Sequence, residues 1–139
     1  MLKKRRTIGY IEHVDFPDWK VFELPAKADT GALTSALHVE NICEWQDGWV
    51  SFDILLGDGR GARRKNVDAE FSRHGKVRST SGKLERRIFV TTRFRLGELE
   101  RDIEVGLVDR KQMNYRLLLG RRALAGHFVV DPARCYLLG

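Results

Sequence analysis

Alternation of apolar and polar residues runs through most of the chain and predicts strands. It is clearest from Arg87 to Asp109, where Ile88, Val90, Thr92, Phe94 and Leu96 alternate, Gly97-Glu98 turns, and Leu99, Ile103, Val105 and Leu107 run back. Side chains on a strand leave to opposite faces with a period of two, so this is a hairpin with one buried face. Arg93, Arg95, Arg101 and Glu104 fall on or near its solvent side. Thr7 to Val14 reads as a first strand, with Ile8, Tyr10 and Val14 in step and Ile11 out of step. Phe16-Pro17-Asp18 reads as a turn, and Trp19 to Leu24 as a strand that meets Pro25 at an edge or corner. Ser35 to Ile42 alternates with Leu37 and Val39 on one side and His38 and Glu40 on the other; Asp47-Gly48 then turns the chain into a strand from Trp49 to Leu56. Gly57-Asp58-Gly59-Arg60-Gly61 closes that strand as a loop. A short helix is expected from Arg121 to Ala125, stopped by Gly126, and final strands at Phe128-Val129-Val130 and Cys135 to Leu138 around an Asp131-Pro132 turn. With no repeat, linker or low-complexity tract, residues 1–139 are expected to form one all-β domain, a closed barrel with one short helix near the C-terminus.

Size and composition fit that expectation. The 139 residues, 42% of them hydrophobic, can bury one modest core, and 13 glycines against 3 prolines suit strands joined by tight turns. No apolar run approaches the roughly 18 residues of a membrane span, and the basic Met1-Leu2-Lys3-Lys4-Arg5-Arg6 is not followed by the apolar core of a signal peptide. A cytoplasmic chain is expected. Cys43 and Cys135 lack CxxC spacing; two unreactive thiols are the favoured reading, with a disulfide as the alternative. The net charge of +6 is unevenly distributed, because residues 60 to 95 hold twelve basic residues against three acidic ones, a net +9 that leaves −3 for the rest. A basic middle on an acidic frame points to an anionic partner, nucleic acid or acidic peptide, or else to a solvated charged face.

Candidate chemistry sits at Asp29-Thr30-Gly31-Ala32, delivered by the largely apolar approach of Val21, Phe22, Leu24, Ala26 and Ala28. A carboxylate at a strand end, followed at once by turn residues, is fixed in space. Downstream, the apolar run Tyr115 to Leu119 closes with Gly120 and leads into Arg121-Arg122-Ala123-Leu124. Together these resemble a retropepsin-type aspartic protease, whose protomer carries Asp-Thr-Gly-Ala early and an apolar-apolar-Gly-Arg element late. The longer stretch Lys27 to Leu37 narrows the resemblance, as do Val77-Arg78-Ser79-Thr80-Ser81-Gly82, Glu85-Arg86-Arg87, Asp109-Arg110, Leu117 to Arg121 and Val130-Asp131-Pro132. In these the chain is similar to small bacterial proteins labelled "ATP-dependent zinc protease". Leu33 departs from that pattern, where Lys is expected, and this bears on a surface contact and not on the chemistry.

The resemblance implies a homodimeric aspartic peptidase. Two carboxylates within hydrogen-bonding reach share one proton, since like charges that close cannot both ionise. This chain has one Asp-Thr-Gly, so the second Asp29 would come from another copy across a two-fold axis. Gly31 would permit the turn, Thr30 would hydrogen-bond across the interface, and Leu118, Leu119 and Gly120 would pack behind the Asp29 loop. Lys27, two residues before Asp29, either favours the ionised carboxylate or reaches solvent. Arg73 to Arg87 falls where retropepsins carry a hairpin flap, with Gly75, Ser79, Ser81 and Gly82 supplying mobility. Its arginines suit carboxylates, so Ala32, Arg78, Ser79, Gly82 and Arg86 are expected to bind an acidic substrate, with Arg78 and Arg86 the main contacts. The family's association with ATP-grasp glutamate ligases that extend a ribosomal protein implies processing of glutamate-rich tails. Neither zinc nor ATP is expected as a cofactor: His13, His38, His74 and His127 are scattered with no HExxH, and no Gly-rich phosphate loop is present. The competing readings are a basic β-barrel that binds RNA or the ribosome and a non-catalytic ligase subunit. RNA binding is disfavoured because Phe71 is the one aromatic between Arg60 and Arg87.

Overall fold

Strands that alternate cleanly in sequence form as expected. Trp49–Leu56 (β5) buries Val50, Phe52 and Ile54 completely, and Leu84–Leu96 (β7) pairs with Leu99–Val108 (β8) from Ile88↔Leu107 to Leu96↔Leu99 around the Gly97-Glu98 turn. The structure is a computed structural model and describes residues 4–57, 63–78, 81–110 and 113–139. The remaining strands are Arg6–Gly9 (β1), Ile11–Phe16 (β2), Val21–Ala28 (β3), Ser35–Gln46 (β4), Arg63–Arg78 (β6), Leu117–Leu119 (β9) and Phe128–Asp131 (β10). Arg121–Leu124 forms the short helix α1, and Pro17–Trp19 a single 3-10 turn. No helix among the described residues is long and apolar enough to cross a membrane. Met1 to Lys3, Asp58 to Gly61, Thr80 and the expected substrate contact Ser79 lie outside the described residues.

The chain is all-β with one short helix, and its closure takes the form of rings of paired strands. One ring runs β2-β3-β9-β4-β8-β7 and returns to β2 through Asp15↔Arg95; a second runs β4-β5-β6-β7-β8. The return to β2 is held by charge, with Arg95 donating from Nε and Nη2 to Asp15 Oδ2 at 3.1 and 3.0 Å. Phe16, Phe52, Phe94, Leu37, Leu96, Leu117 and Leu119 fill the interior.

Several elements differ from their sequence pattern, each for a physical reason. The single strand expected over Thr7–Val14 is two, because the chain bends at Tyr10: β1 pairs in parallel with β10, whereas β2 pairs with β3. That break explains why Ile11 is out of step with Ile8. Pro25 lies inside β3, opposite His13, and is tolerated because pairing to β9 begins at Ala26, beyond its missing N–H. β4 runs to Gln46 and is covered on both faces over its first half, so His38 is buried beside Leu37 and Val39. β6 is 16 residues long yet so rich in charge that alternation does not reveal it.

The strand expected at Cys135 to Leu138 does not form. This tail instead lies across β2, where Glu12, 1% exposed, takes its backbone donors: Glu12 Oε2 accepts from Gly9 N–H at 2.7 Å and Leu137 N–H at 2.9 Å, and Oε1 from Leu138 N–H at 3.2 Å. Tyr136 N–H adds a bond to the Ile11 carbonyl at 2.8 Å. Gly9 admits the tail, since a β-carbon there would sit 2.5 Å from the Arg134 carbonyl oxygen and 2.6 Å from Cys135 Cα. Cys43 and Cys135 are free and exposed, so the disulfide alternative is not realised. A buried carboxylate that satisfies three backbone donors stabilises the closure of both ends of the chain, and Glu12→Ala leaves all three unpaired. Unpaired buried donors cost about 1–3 kcal/mol each, so the variant should lose on the order of 3 kcal/mol, read as a shift in the urea unfolding midpoint.

Candidate active site

The Asp29 loop and the segment after β9 are lashed together by backbone hydrogen bonds. β3 and β9 run parallel with Ala26↔Leu117, Lys27↔Leu118 and Ala28↔Leu119, and at the end of the pair Asp29 N–H donates to the Leu119 carbonyl at 2.8 Å. The chain then turns, with Ala32 N–H donating to the Asp29 carbonyl at 3.2 Å and Gly31 N–H to Asp29 Oδ1 at 3.2 Å. Helix α1 returns the contact: Arg121 N–H donates to Ala32 O at 2.8 Å, Arg122 N–H to Leu33 O at 3.1 Å, and Arg121 Nη1 to Thr30 O at 3.1 Å. Behind the turn, buried Ser35 accepts Gly120 N–H through Oγ at 3.0 Å. Gly120 is required by space, because a β-carbon there would lie 2.6 Å from the Thr34 carbonyl carbon and 2.9 Å from that of Leu33. Arg101 donates to the Arg122 and Ala123 carbonyls at 2.8 and 2.7 Å and so fixes the helix from the β8 side.

Asp29 opens onto a cleft of about 720 Å³ and, among the described residues, is the one acidic residue of a lining that holds Arg73, Lys76, Arg78, Arg87, Arg110 and Arg122. Gly31, Ala32 and Leu118 also line it. Thr30 and Gly31 are exposed, as is Leu33 at 47%, so the tip of the turn faces solvent. Lys27 is exposed and outside the lining. Arg78 reaches the cleft and donates from Nη1 to the Gly82 carbonyl at 2.9 Å, across a turn where Gly82 holds φ of +84°. The β6–β7 hairpin that carries Arg78 pairs regularly from His74↔Ile88 to Arg78↔Leu84. Arg86 is exposed and lies outside the lining; its neighbour Arg87 points into the cleft. The period-two pattern of β7 carries this signal. Arg86 continues the face of Ile88 and Val90 beyond the core, and Arg87 shares the opposite face with Phe89.

The cleft cations are not equivalent. Arg73 grips Glu104 through Nε and Nη2 at 3.1 and 2.8 Å and stacks over Phe89, its guanidinium carbon 4.0 Å from the ring centroid. Ser72 Oγ adds a bond to Glu104 Oε2 at 2.8 Å. Burial works to raise the Glu104 carboxyl, but the hydrogen bonds from Arg73 and Ser72 and the charges of Arg73 and Arg122 outweigh it and hold the group below its ordinary 4.5. Arg110 Nη2 donates to Glu85 Oε2 at 2.8 Å, and Arg87 Nη2 approaches the same oxygen at 3.7 Å. Burial, and then the charge of Arg110, pull Arg87 below the ordinary arginine value, with Glu85 opposing them. The sequence does not set Arg73 apart, and it offers Arg87 and Arg110 only within two separate stretches of the resemblance, because their meeting on Glu85 depends on the folded sheet.

A His/Glu/Asp cluster missed in the sequence occurs among the described residues, where ligand atoms of His38, Glu40 and Asp109 lie within 4.8 Å of one another. Its donor set does not fit a metal. His38 Nδ1 accepts Arg110 N–H at 3.0 Å, so the ring proton sits on Nε2, the nitrogen that faces Glu40 Oε2 at 3.8 Å. Glu40 is already paired with Arg64 at 2.5 Å. The cluster is a buried imidazole with carboxylate neighbours, and it does not include Asp29.

A family model described as RimB-like, the retropepsin-like aspartic endopeptidase RimB, matches residues 7–138, and the chain belongs to this family. It is 34% identical over 99% of its length to a probable alpha-L-glutamate ligase of Parasynechococcus marenigrum and 34% identical over 97% to one of Desulfotalea psychrophila. The chain spans about 30% of the length of these relatives. The crystal structure of Lpg0085 of Legionella pneumophila, a protein of unknown function, superposes with a TM-score of 0.80 at 30% identity, covering 98% of this chain and all of that one.

Two outcomes test this site. Gly120→Ala forces the two backbones apart, and overpacking of this kind costs about 1–3 kcal/mol; a lowered melting temperature together with loss of whatever activity Asp29 supports is expected. Because the folded state holds Glu104 below 4.5, its contribution to stability is complete above that pH and lost as pH falls through the lower folded value. The stability gap between wild type and Glu104→Gln should therefore narrow between pH 7 and pH 3 in urea titrations.

Proposed function

We propose that this member of the RimB-like family is one half of a homodimeric aspartic peptidase that hydrolyses peptide bonds in acidic, glutamate-rich chains. The observation that carries the reading is a single carboxylate, Asp29, held by backbone bonds at an outward-facing turn and opening onto a cleft whose other charged residues, among those described, are six cations. A single carboxylate cannot run this chemistry, and the exposure of Thr30, Gly31 and Leu33 supports a second copy at the turn. In the dimer the two Asp29 carboxyls share one proton. The ionised one takes a proton from water as its oxygen attacks the scissile carbonyl carbon, while the neutral one donates to the carbonyl oxygen. Collapse of the tetrahedral intermediate breaks the C–N bond and returns a proton to the leaving nitrogen.

Two facts support the acidic substrate. The cleft would attract anions at long range and discriminate against basic peptides. The relatives named probable alpha-L-glutamate ligase carry a matching segment in a chain about three times as long, and a glutamate ligase makes an acidic product. That same fact favours a second reading, in which this chain serves a glutamate ligase as a non-catalytic partner.

Cleavage of a peptide ending in several glutamates, followed by mass spectrometry from acid to neutral pH, separates the two. Wild type is expected to cleave with or without a chelator, Asp29→Asn to fall to background, and sedimentation to report a dimer. Cleavage that survives in Asp29→Asn overturns the aspartic mechanism, and a protein that stays monomeric and inactive leaves the partner reading.

A further inference from the structure

We propose that Arg87 and Arg110 form a carboxylate-binding subsite of the cleft, which Glu85 of the same chain fills until a carboxylate of the substrate displaces it. The proposal rests on the acidic-peptide reading above and assigns that recognition to named residues. Among the cleft cations, Arg73 holds Glu104 of its own through Nε and Nη2 and lays its face on Phe89, and Arg78 donates to the Gly82 carbonyl. Arg87 and Arg110 instead converge on one oxygen of one carboxylate, Glu85 Oε2, at 3.7 and 2.8 Å. Two guanidiniums on one carboxylate leave a surplus positive charge.

The surplus is most costly at Arg87. Its side chain is 9% exposed, and its Nε is buried with no acceptor among the described residues. A guanidinium offers five donors in a planar fork and cannot shed its proton, so an unfilled donor in that position is satisfied by bringing in an acceptor. Gly106 makes the space for this arrangement: a β-carbon there would meet the Phe89 ring at 3.0 Å and Arg87 Cδ at 3.3 Å. Glu85, by contrast, is 43% exposed and stands on β7 one residue from its start, opposite Val77. It can swing to solvent at little cost, whereas Arg87 cannot. The chemistry calls for a second carboxylate, supplied either by a glutamate or aspartate side chain or by the C-terminus of a peptide.

Binding is measured by calorimetry on the full chain carrying Asp29→Asn, so that turnover does not intervene and failure of the catalytic reading is scored separately by cleavage. The probe is a tetraglutamate peptide, with its C-terminal amide and tetraglutamine as comparisons. Arg87→Gln and Arg110→Gln are each expected to weaken tetraglutamate binding about tenfold or more, the size of a lost charge-assisted hydrogen bond. Glu85→Gln is expected to tighten it severalfold, because the internal competitor loses its charge. Tetraglutamine should not bind. Equal binding of the amidated peptide assigns the subsite to a side-chain carboxylate, and loss on amidation assigns it to the chain terminus. Weaker binding in Glu85→Gln would make Glu85 a support for the arginines and overturn the proposal, as would unchanged affinity in both arginine variants. If Arg87→Gln does not fold, Gly106→Ala, which displaces the Arg87 stem, gives the same reading.

Discussion

Where Gly120 passes Thr34, the two backbones approach so closely that no side chain fits between them. That contact makes the remaining bonds possible: Asp29 to Leu119, Arg121 to Ala32, Arg122 to Leu33, and Gly120 to Ser35. All are short range and directional, and they fix a solvent-facing turn without burying it. A carboxylate that is both rigid and accessible cannot rely on packing alone, which would cover it. Backbone hydrogen bonds from behind resolve the conflict.

The rest of the fold serves this arrangement by closing sheets through charge as well as apolar contact. Asp15 and Arg95 complete the ring between β2 and β7, Arg73 and Glu104 bridge β6 to β8 across β7, and Glu12 ties the tail to the first two strands. Ion pairs that are half exposed stabilise little by themselves. Their effect is geometric, since each bidentate or multiply bonded group sets the angle of the side chain that holds it. In the cleft this leaves a graded set of cations, some held by partners of their own and two sharing one carboxylate. Net charge alone would treat them as one patch.

Much of this was legible in the sequence wherever one face of a strand is wet and the other dry. The β7–β8 hairpin, β5, the Asp47-Gly48 turn and the short helix follow from period-two alternation and turn chemistry, and a family resemblance carried on Asp29 to Ala32 and Leu118 to Arg121 agrees with the family match. The pattern fails where its premise fails. β4 is covered on both faces over its first half, β6 is charged on both, and the tail from Cys135 to Leu138, though apolar, is held to β2 through its backbone with Cys135, Tyr136 and Leu137 exposed, and joins no sheet.

The sequence by itself determined the strand content, the position of the turn that holds Asp29, and the sign of the charge around it, because these depend on neighbours within a few residues. Tertiary structure decided which cations face Asp29. Arg86 and Arg87 are adjacent and chemically identical, and the direction each points depends on the register of β7 against β6 and β8. It also decided what those cations already hold, as Glu104 with Arg73 and Glu85 with Arg110 are 31 and 25 residues apart in the chain. Long-range pairing leaves no local signature, so the position of the Asp29 turn could be read from the chain and the partners of the cations around it only from the folded sheet.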